Sequence, residues 1–247
     1  MPWTGWETNL KVGTKFSKMK TVIITGANGN LGTAVTKEFL DKNYRVIATV
    51  SNENARTDLK ARPNLDIAVV NLMQEKETND FIQKCIEKYQ VIDAAILLVG
   101  GFTMGDLAGT SGEDLRKQIA LNFETAYYVT RPLFAHLLGN KRGSIVLIGA
   151  RPALKAAQGK GLIAYSLSKS LLFKLAEYLN EAAKGVNVSV SVVVPSTLDT
   201  PLNRKSMPDA NPDNWVKTSE VAETLEFLVS DKAKALKETV VKMYNNA

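Results

Sequence analysis

Short apolar runs alternate along most of the chain with longer stretches of helical periodicity. The apolar runs are mostly continuous, which is the pattern of strands buried on both faces. They lie at residues 21–26, 45–50, 66–70, 94–99, 144–148, 188–195 and 238–244. Helices are predicted at 30–42, 75–89, 112–139, 161–184 and 218–229. This alternation predicts a doubly wound, Rossmann-type α/β fold, with a mainly parallel seven-stranded sheet and helices on both faces.

The pattern predicts one domain over residues 20–247. Residues 1–19 lack the apolar core of a signal peptide and any clear periodicity, so they are interpreted as a flexible N-terminal extension. The Pro-rich stretch 195–215 lies between a strand and a helix and predicts a long functional loop. Thr110 and Glu113 are spaced as a capping box that opens the helix 112–139.

Composition and charge narrow the classes of partner. The chain of 247 residues has a net charge of +6, but the first twenty residues, with four lysines and one glutamate, hold half of it. The rest has no long basic cluster and no apolar run of membrane-spanning length, so we expect a small-molecule substrate and neither nucleic acid nor membrane. A lone cysteine, Cys85, indicates a reducing, cytoplasmic location. With a single histidine, His136, interpreted as structural, no metal site is expected.

A glycine-rich turn follows the first predicted strand. Gly26, Gly29 and Gly32 are spaced three apart in TGANGNLG and lead directly into a helix. Glycines let the backbone approach a pyrophosphate, whose charge is stabilised by the helix N-terminus. The order of strand, turn and helix predicts dinucleotide binding, and a purely structural turn is the alternative.

Tyr165 and Lys169 form a second candidate site. Of seven tyrosines only Tyr165 is followed by a lysine four residues later, which places both side chains on one helix face. An ammonium beside a phenol is expected to lower a phenol pKa that is otherwise ~10, which suits general acid–base chemistry. A solvated surface pair is the alternative.

With both motifs in this order, residues 20–247 resemble the short-chain dehydrogenase/reductase family. The resemblance implies an enzyme in which Tyr165 and Lys169 carry the proton chemistry and Asn122 supports a proton relay. The motifs and the resemblance together predict the cofactor-binding residues Gly26, Asn28, Gly29, Asn30, Leu31, Gly32, Ser51, Asn52, Asn71, Leu72, Val99, Gly100, Gly101, Tyr165, Lys169, Pro195, Thr197, Leu198 and Thr200. It also implies a homodimer or homotetramer built on the helices 112–139 and 161–184.

Departures from the family pattern narrow the range of reactions that this chain is expected to catalyse. Where the family places a catalytic serine, this chain has no hydroxyl around Ala150, which should disable an ordinary carbonyl reductase. The chain is similar here to the dihydropteridine reductase subfamily, in VIDAAILLVGG (91–101) and TLDTPLNRKSMP (197–208). That implies reduction of a quinonoid dihydropteridine or a similar conjugated imine or carbonyl. Asn122 and the longer interval between Ala150 and Tyr165 are not expected of animal members of this subfamily.

The second strand ends in Val50-Ser51-Asn52-Glu53, without a carboxylate at the first positions. A carboxylate there would accept the ribose hydroxyls of NAD(H), so its absence favours NADP(H), with Ser51, Asn52 and Arg56 near the 2′-phosphate. Glu53 leaves NAD(H) open. Two other functions stay open as well: a short-chain carbonyl reductase of the oxoacyl type, and a non-catalytic dinucleotide-binding redox sensor.

Overall fold

Seven parallel strands form the central sheet of the computed structural model, which describes residues 19–246. In chain order they are β1 (Thr21–Thr25), β2 (Arg45–Val50), β3 (Leu65–Val69), β4 (Ala94–Leu97), β5 (Arg142–Ile148), β6 (Asn187–Pro195) and β9 (Val240–Met243). A separate pair consists of β7 (Leu198–Asp199) and β8 (Val216–Lys217). The strand order β3-β2-β1-β4-β5-β6-β9 confirms the predicted Rossmann-type fold. The predicted flexible extension lies, apart from Met19, outside the described residues.

Helices cover both faces of this sheet. They are α1 (Asn30–Asp41), α2 (Glu53–Arg56), α3 (Glu75–Tyr89), α4 (Gly112–Ile119), α5 (Thr125–Gly139), α6 (Arg151–Leu154), α7 (Ala156–Gly159), α8 (Ile163–Ala182), α9 (Pro201–Ser206) and α10 (Thr218–Val229). A π-helical segment, Ala120–Glu124, joins α4 to α5. No helix between residues 19 and 246 has both the length and the apolar character needed to cross a bilayer.

The sheet separates two apolar cores. Successive residues of β1 point to opposite faces, so Ile23 joins one core while Val22 and Ile24 join the other. The first core contains side chains from α3, α5 and α8, and the second contains side chains from α1 and α10. Burial on both faces explains why these strands are continuously apolar in the sequence.

Three local expectations were wrong. The capping box that opens α4 uses Ser111 and Asp114, because Ser111 is the N-cap residue and the Thr110 hydroxyl donates to the Asp106 carbonyl. The helix predicted over 112–139 is interrupted by the π-helical segment. The stretch 195–215 is not an irregular loop, since it contains β7, α9 and a 3₁₀ turn. Pro201 begins α9, and the Thr200 hydroxyl caps it by accepting from the Asn203 N–H.

The Asn180 side chain forms hydrogen bonds with backbone groups of β6 that no neighbouring strand reaches. Its Nδ2 donates to the Val190 carbonyl at 2.7 Å, and its Oδ1 accepts from the Val190 N–H at 2.9 Å. On this side β9 begins to pair only at Val192, so Asn180 occupies the place of a neighbouring strand. It thereby joins α8, which carries Tyr165 and Lys169, to the sheet.

We expect Asn180→Ala to lower the free energy of unfolding by about 1–3 kcal/mol, because a buried N–H and a buried C=O lose their partners. Urea unfolding followed by circular dichroism measures the change. Asn79→Ala, on the exposed surface of α3, is the matched control and should stay within about 0.5 kcal/mol of the parent. Equal stability of the two variants would contradict the role given to Asn180.

Candidate functional site

The candidate site lies at the carboxyl ends of the parallel strands, where open α/β sheets bind their ligands. The glycine turn follows β1, Ser51 and Asn52 follow β2, and Asn71 and Leu72 follow β3. On the other side of β1, Val99, Gly100 and Gly101 follow β4, and the segment after Pro195 follows β6. The parallel topology thus brings the predicted cofactor residues to one edge of the sheet.

The glycine turn has the geometry that a dinucleotide needs. Gly26 has φ of +62°, a left-handed conformation that favours glycine, and a Cβ on it would lie 3.2 Å from a Val99 methyl group. A Cβ on Gly32 would lie 2.1 Å from the Gly26 carbonyl oxygen, so α1 can approach the turn only with glycine there. Gly29 leads α1 without a side-chain cap, and the first turn, with Asn30 and Leu31, has no acidic residue. This N-terminus fits a pyrophosphate.

Asn122 links three parts of the site. Its Oδ1 accepts from the Gly101 N–H at 2.9 Å, and its Nδ2 lies 3.0 Å from the Gly101 carbonyl oxygen. The same Nδ2 lies 2.9 Å from Gln118 Oε1 and 3.0 Å from Ser168 Oγ. The π-helical segment carries Asn122, and such segments are frequent at functional sites. The loop after β4 is therefore joined to the helix of Tyr165.

Lys169 is buried beneath this loop. Its Nζ donates to the Ile148 carbonyl at 2.9 Å, and burial lowers its pKa to about 8. A Cβ on Gly100 would lie 3.1 Å from Lys169 Nζ and 2.6 Å from Asn122 Oδ1. Glycine at this position therefore allows the backbone to pass directly over both predicted catalytic side chains.

Tyr165 differs from the prediction in one respect. Burial raises its pKa to about 12, so the expected lowering by the nearby ammonium was wrong for this structure. Desolvation of the phenolate dominates, and the Lys169 ammonium donates to a backbone carbonyl instead. At neutral pH Tyr165 therefore holds its proton. The Phe102 ring meets it edge-on, with 5.1 Å between ring centroids, while Phe102 stays 62% exposed.

The segment after β5 contains no hydroxyl group beside the Tyr165 helix. Ala150 is buried and directly precedes α6 as its N-cap residue, and the longer interval up to Tyr165 contains α6 and α7. Arg151 lies over the Tyr244 ring, 4.6 Å from its centroid, and so links this segment to the end of β9.

The segment after β6, residues 196–216, is held together by hydrogen bonds between its own residues. Asp199 accepts two hydrogen bonds from the Arg204 guanidinium, at 2.6 and 2.9 Å, and Asn203 donates to the Leu198 carbonyl. The Thr197 carbonyl accepts a hydrogen bond from the Val216 N–H, which connects the two ends of this segment. Trp215 is buried and anchors this structure, whereas Met207 is 37% exposed.

The residues after β2 and β3 form a separate group along the edge. Asn52 Oδ1 accepts from the Ala55 N–H and so caps α2, and Ser51 is exposed beside it. Asn71 Oδ1 accepts from the Met73 N–H within its own turn, and Leu72 is buried. These side chains border the place predicted for the adenosine, while Asn122, Tyr165 and Lys169 lie across β1.

Three neighbours of the predicted residues were missed. Ser168 and Gln118 bond to Asn122, and Phe102 contacts Tyr165. Gln118 lies one helical turn before Asn122, which was a usable signal. No spacing rule predicts the contact of Ser168 with Asn122 or of Phe102 with Tyr165, because each joins elements that are distant in sequence.

The chain is similar to known proteins over most of its length. The profile of the short chain dehydrogenase family matches residues 20–211. A dihydropteridine reductase from Dictyostelium discoideum is 32% identical over 210 residues, 83% of this chain and 86% of that protein. A 3-oxoacyl-[acyl-carrier-protein] reductase from Thermotoga maritima is 26% identical over 227 residues, 87% of this chain and 92% of that protein. The structure of ElxO with NADP bound is similar in fold, with a TM-score of 0.85 at 21% identity, over 91% of this chain and 97% of that one.

We expect Gly32→Ala to weaken NADPH binding at least about tenfold, because the new Cβ must push α1 away from the Gly26 carbonyl. Isothermal titration calorimetry measures the dissociation constant. Gly139→Ala is the control, since a Cβ there meets nothing within 4 Å. Unchanged binding by the Gly32 variant would contradict the cradle assigned to this turn.

Proposed function

The chain belongs to the short-chain dehydrogenase family, and we propose that within it the protein is an NAD(P)H-dependent reductase of a quinonoid dihydropteridine or a similar conjugated imine or carbonyl. The observation that carries this proposal is a partly buried, protonated Tyr165 on the helix of Lys169, which lies with Asn122 beneath the loop after β4, at a site where Ala150 supplies no hydroxyl. The Dictyostelium dihydropteridine reductase supports the choice of substrate class.

The reduction needs a hydride and a proton. When bound, the reduced nicotinamide supplies the hydride. Tyr165 donates its hydroxyl proton to the substrate nitrogen or oxygen, and the raised pKa means that this proton is present at neutral pH. The Lys169 ammonium then stabilises the phenolate that remains. Asn122 holds the loop of Gly101 against α8, which keeps the loop and Tyr165 in register.

The absence of a hydroxyl at Ala150 favours an electron-poor acceptor. A quinonoid pterin accepts hydride without a second donor to polarise a carbonyl, so a single proton from Tyr165 completes the step. The exposed face of Phe102, beside the Tyr165 ring, offers an aromatic surface for a flat heterocycle.

A carbonyl reductase of the oxoacyl type is the second candidate. The hydrogen-bonded Asn122 favours it, since the resemblance to animal dihydropteridine reductases does not lead us to expect that residue. The Thermotoga 3-oxoacyl reductase supports it as well. NADPH and NADH oxidation with quinonoid dihydropterin and with a panel of carbonyl compounds separates the two. Tight cofactor binding without any turnover would instead favour a redox sensor.

We further propose NADP(H) as the preferred cofactor, because β2 ends in Ser51 and Asn52 without a carboxylate.

The lone Cys85 is buried, and burial raises the pKa of its thiol to about 12, so it is an inert thiol. A chain with one cysteine forms no internal disulfide, and this supports our proposal of a cytoplasmic location.

We expect Tyr165→Phe to lower kcat for the reduction at least about a hundredfold and to leave the Kd of NADPH almost unchanged, because phenylalanine keeps the ring but has no proton to donate. Stopped-flow oxidation of NADPH measures the first quantity and calorimetry the second. Tyr178→Phe, at an exposed position on the same helix, is the control. Near-native turnover by the Tyr165 variant would remove this residue from the mechanism.

The pKa of Lys169 sets the expected pH dependence. Because burial lowers this pKa to about 8, the ammonium that stabilises the phenolate is present below that pH and lost above it. We therefore expect kcat/KM for the reduction to fall above about pH 8. Lys169→Arg, which stays charged, should move this decline to higher pH. A parent profile that stays flat to pH 10 would contradict the role of the ammonium.

We propose a homodimer or homotetramer assembled through α5 and α8. Both helices expose apolar side chains: Tyr127 is 38%, Leu167 49% and Leu171 37% exposed. We expect sedimentation equilibrium at micromolar concentration to give a dimer or tetramer, and Leu167→Glu to shift it towards monomer by burying a charge. Leu236→Glu, which alters an exposed leucine outside these helices, is the control. A monomeric parent protein would contradict the proposal.

A further inference from the structure

We propose that Asp58 limits the preference for NADPH over NADH, by placing a carboxylate where a 2′-phosphate would bind. The proposal rests on the proposed cofactor-dependent function and concerns a residue that no motif in the sequence singles out. Asp58 contacts the glycine turn from the segment after α2.

This contact joins two parts of the predicted cofactor site. Asp58 Oδ2 accepts a hydrogen bond from Asn28 Nδ2 at 3.2 Å, across thirty positions of sequence. Asn28 lies in the turn after β1, and Asp58 lies in the chain that follows β2 and α2. Since β1 and β2 are neighbours in the sheet, the bond spans the gap between their carboxyl ends.

The chain around Asp58 is tethered on both sides. Asn52 caps α2 through the Ala55 N–H at 2.9 Å, and the Thr57 hydroxyl donates to the Asn54 carbonyl at 2.7 Å. Ala55 and Leu59 are buried, whereas Asp58 itself is exposed. The backbone therefore holds the carboxylate at the surface, beside the glycine turn, before any ligand binds.

Near the end of β2, the carboxylate of Asp58 has no ion-pair partner among the described residues. In dinucleotide-binding folds the end of the second strand meets the 2′ position of the adenosine ribose. Here Ser51 and Asn52 are neutral, and Glu53 lies 3.8 Å from Arg56, which offsets its charge. Within residues 19–246 Asp58 forms no ion pair, so its negative charge is not offset by a partner.

A carboxylate at this position acts in opposite directions on the two cofactors. It repels the roughly two negative charges of a 2′-phosphate, whereas it accepts hydrogen bonds from ribose hydroxyls. The end of β2 favours NADPH by lacking a carboxylate, and Asp58 opposes this preference from the next segment. The expected result is a protein that binds both cofactors with a modest ratio of affinities.

Asp58→Asn tests this assignment, because it removes the charge and keeps an oxygen that can accept from Asn28. Calorimetry should give the Kd of NADPH, NADH and the two fragments 2′,5′-ADP and ADP, which bind without any turnover. We expect the variant to bind NADPH and 2′,5′-ADP about 5- to 20-fold more tightly, and to bind NADH and ADP more weakly by less than about threefold. The gain should shrink at high ionic strength.

Glu87→Gln is the matched control, because it removes one negative charge from the exposed surface near the end of α3. Asp58→Ser is a second variant, which should repeat the gain without the amide. Unchanged NADPH-to-NADH ratios in both Asp58 variants, or an equal change in the Glu87 variant, would overturn the role of Asp58 while leaving the proposed function intact. A parent protein that binds neither cofactor would overturn both proposals.

Discussion

The site depends on keeping the Lys169 ammonium buried at the edge of the sheet. A buried charge is costly unless its hydrogen bonds are satisfied, and here the carbonyl of Ile148 accepts one at 2.9 Å. That carbonyl is available because β5 ends at Ile148 and the chain turns into α6. The position of the cation is thus determined by where a strand ends, and α8 must pack close enough to deliver it.

Glycine and a helix irregularity make that close packing possible. The backbone at Gly100 passes so near both side chains that a methyl group would lie 2.6 Å from Asn122 Oδ1 and 3.1 Å from Lys169 Nζ. The π-helical segment places Asn122 where its amide reaches the loop after β4 and Ser168 of α8 in a single network. Asn122 and Lys169 are therefore held by contacts with the loop after β4, the end of β5 and α8, and such supporting contacts stabilise preorganised sites.

Two regions at this edge of the sheet, one around Tyr165 and one near the end of β2, differ in burial and in charge. Around Tyr165 and Lys169 burial removes solvent, which raises the pKa of the phenol and lowers that of the ammonium, so the phenol keeps its proton at neutral pH. Towards β2 the surface is exposed and polar, with charged side chains at Glu53, Arg56 and Asp58. Proton donation depends on desolvation, whereas discrimination between cofactors depends on charges that salt can screen.

The sequence by itself determined the strand and helix order, the glycine turn and the placement of Tyr165 and Lys169 one turn apart on a helix. These features depend on residues close in the chain: continuous apolar runs, glycine spacing and an interval of four on a helix. The resemblance carried by those motifs placed Asn122 in the site. The tertiary structure alone decided the partners of these residues, because Ile148, Ser168, Phe102 and Asp58 meet them across the fold. It also reversed the expected pKa shift of Tyr165, since desolvation depends on what surrounds a side chain and local spacing does not encode this.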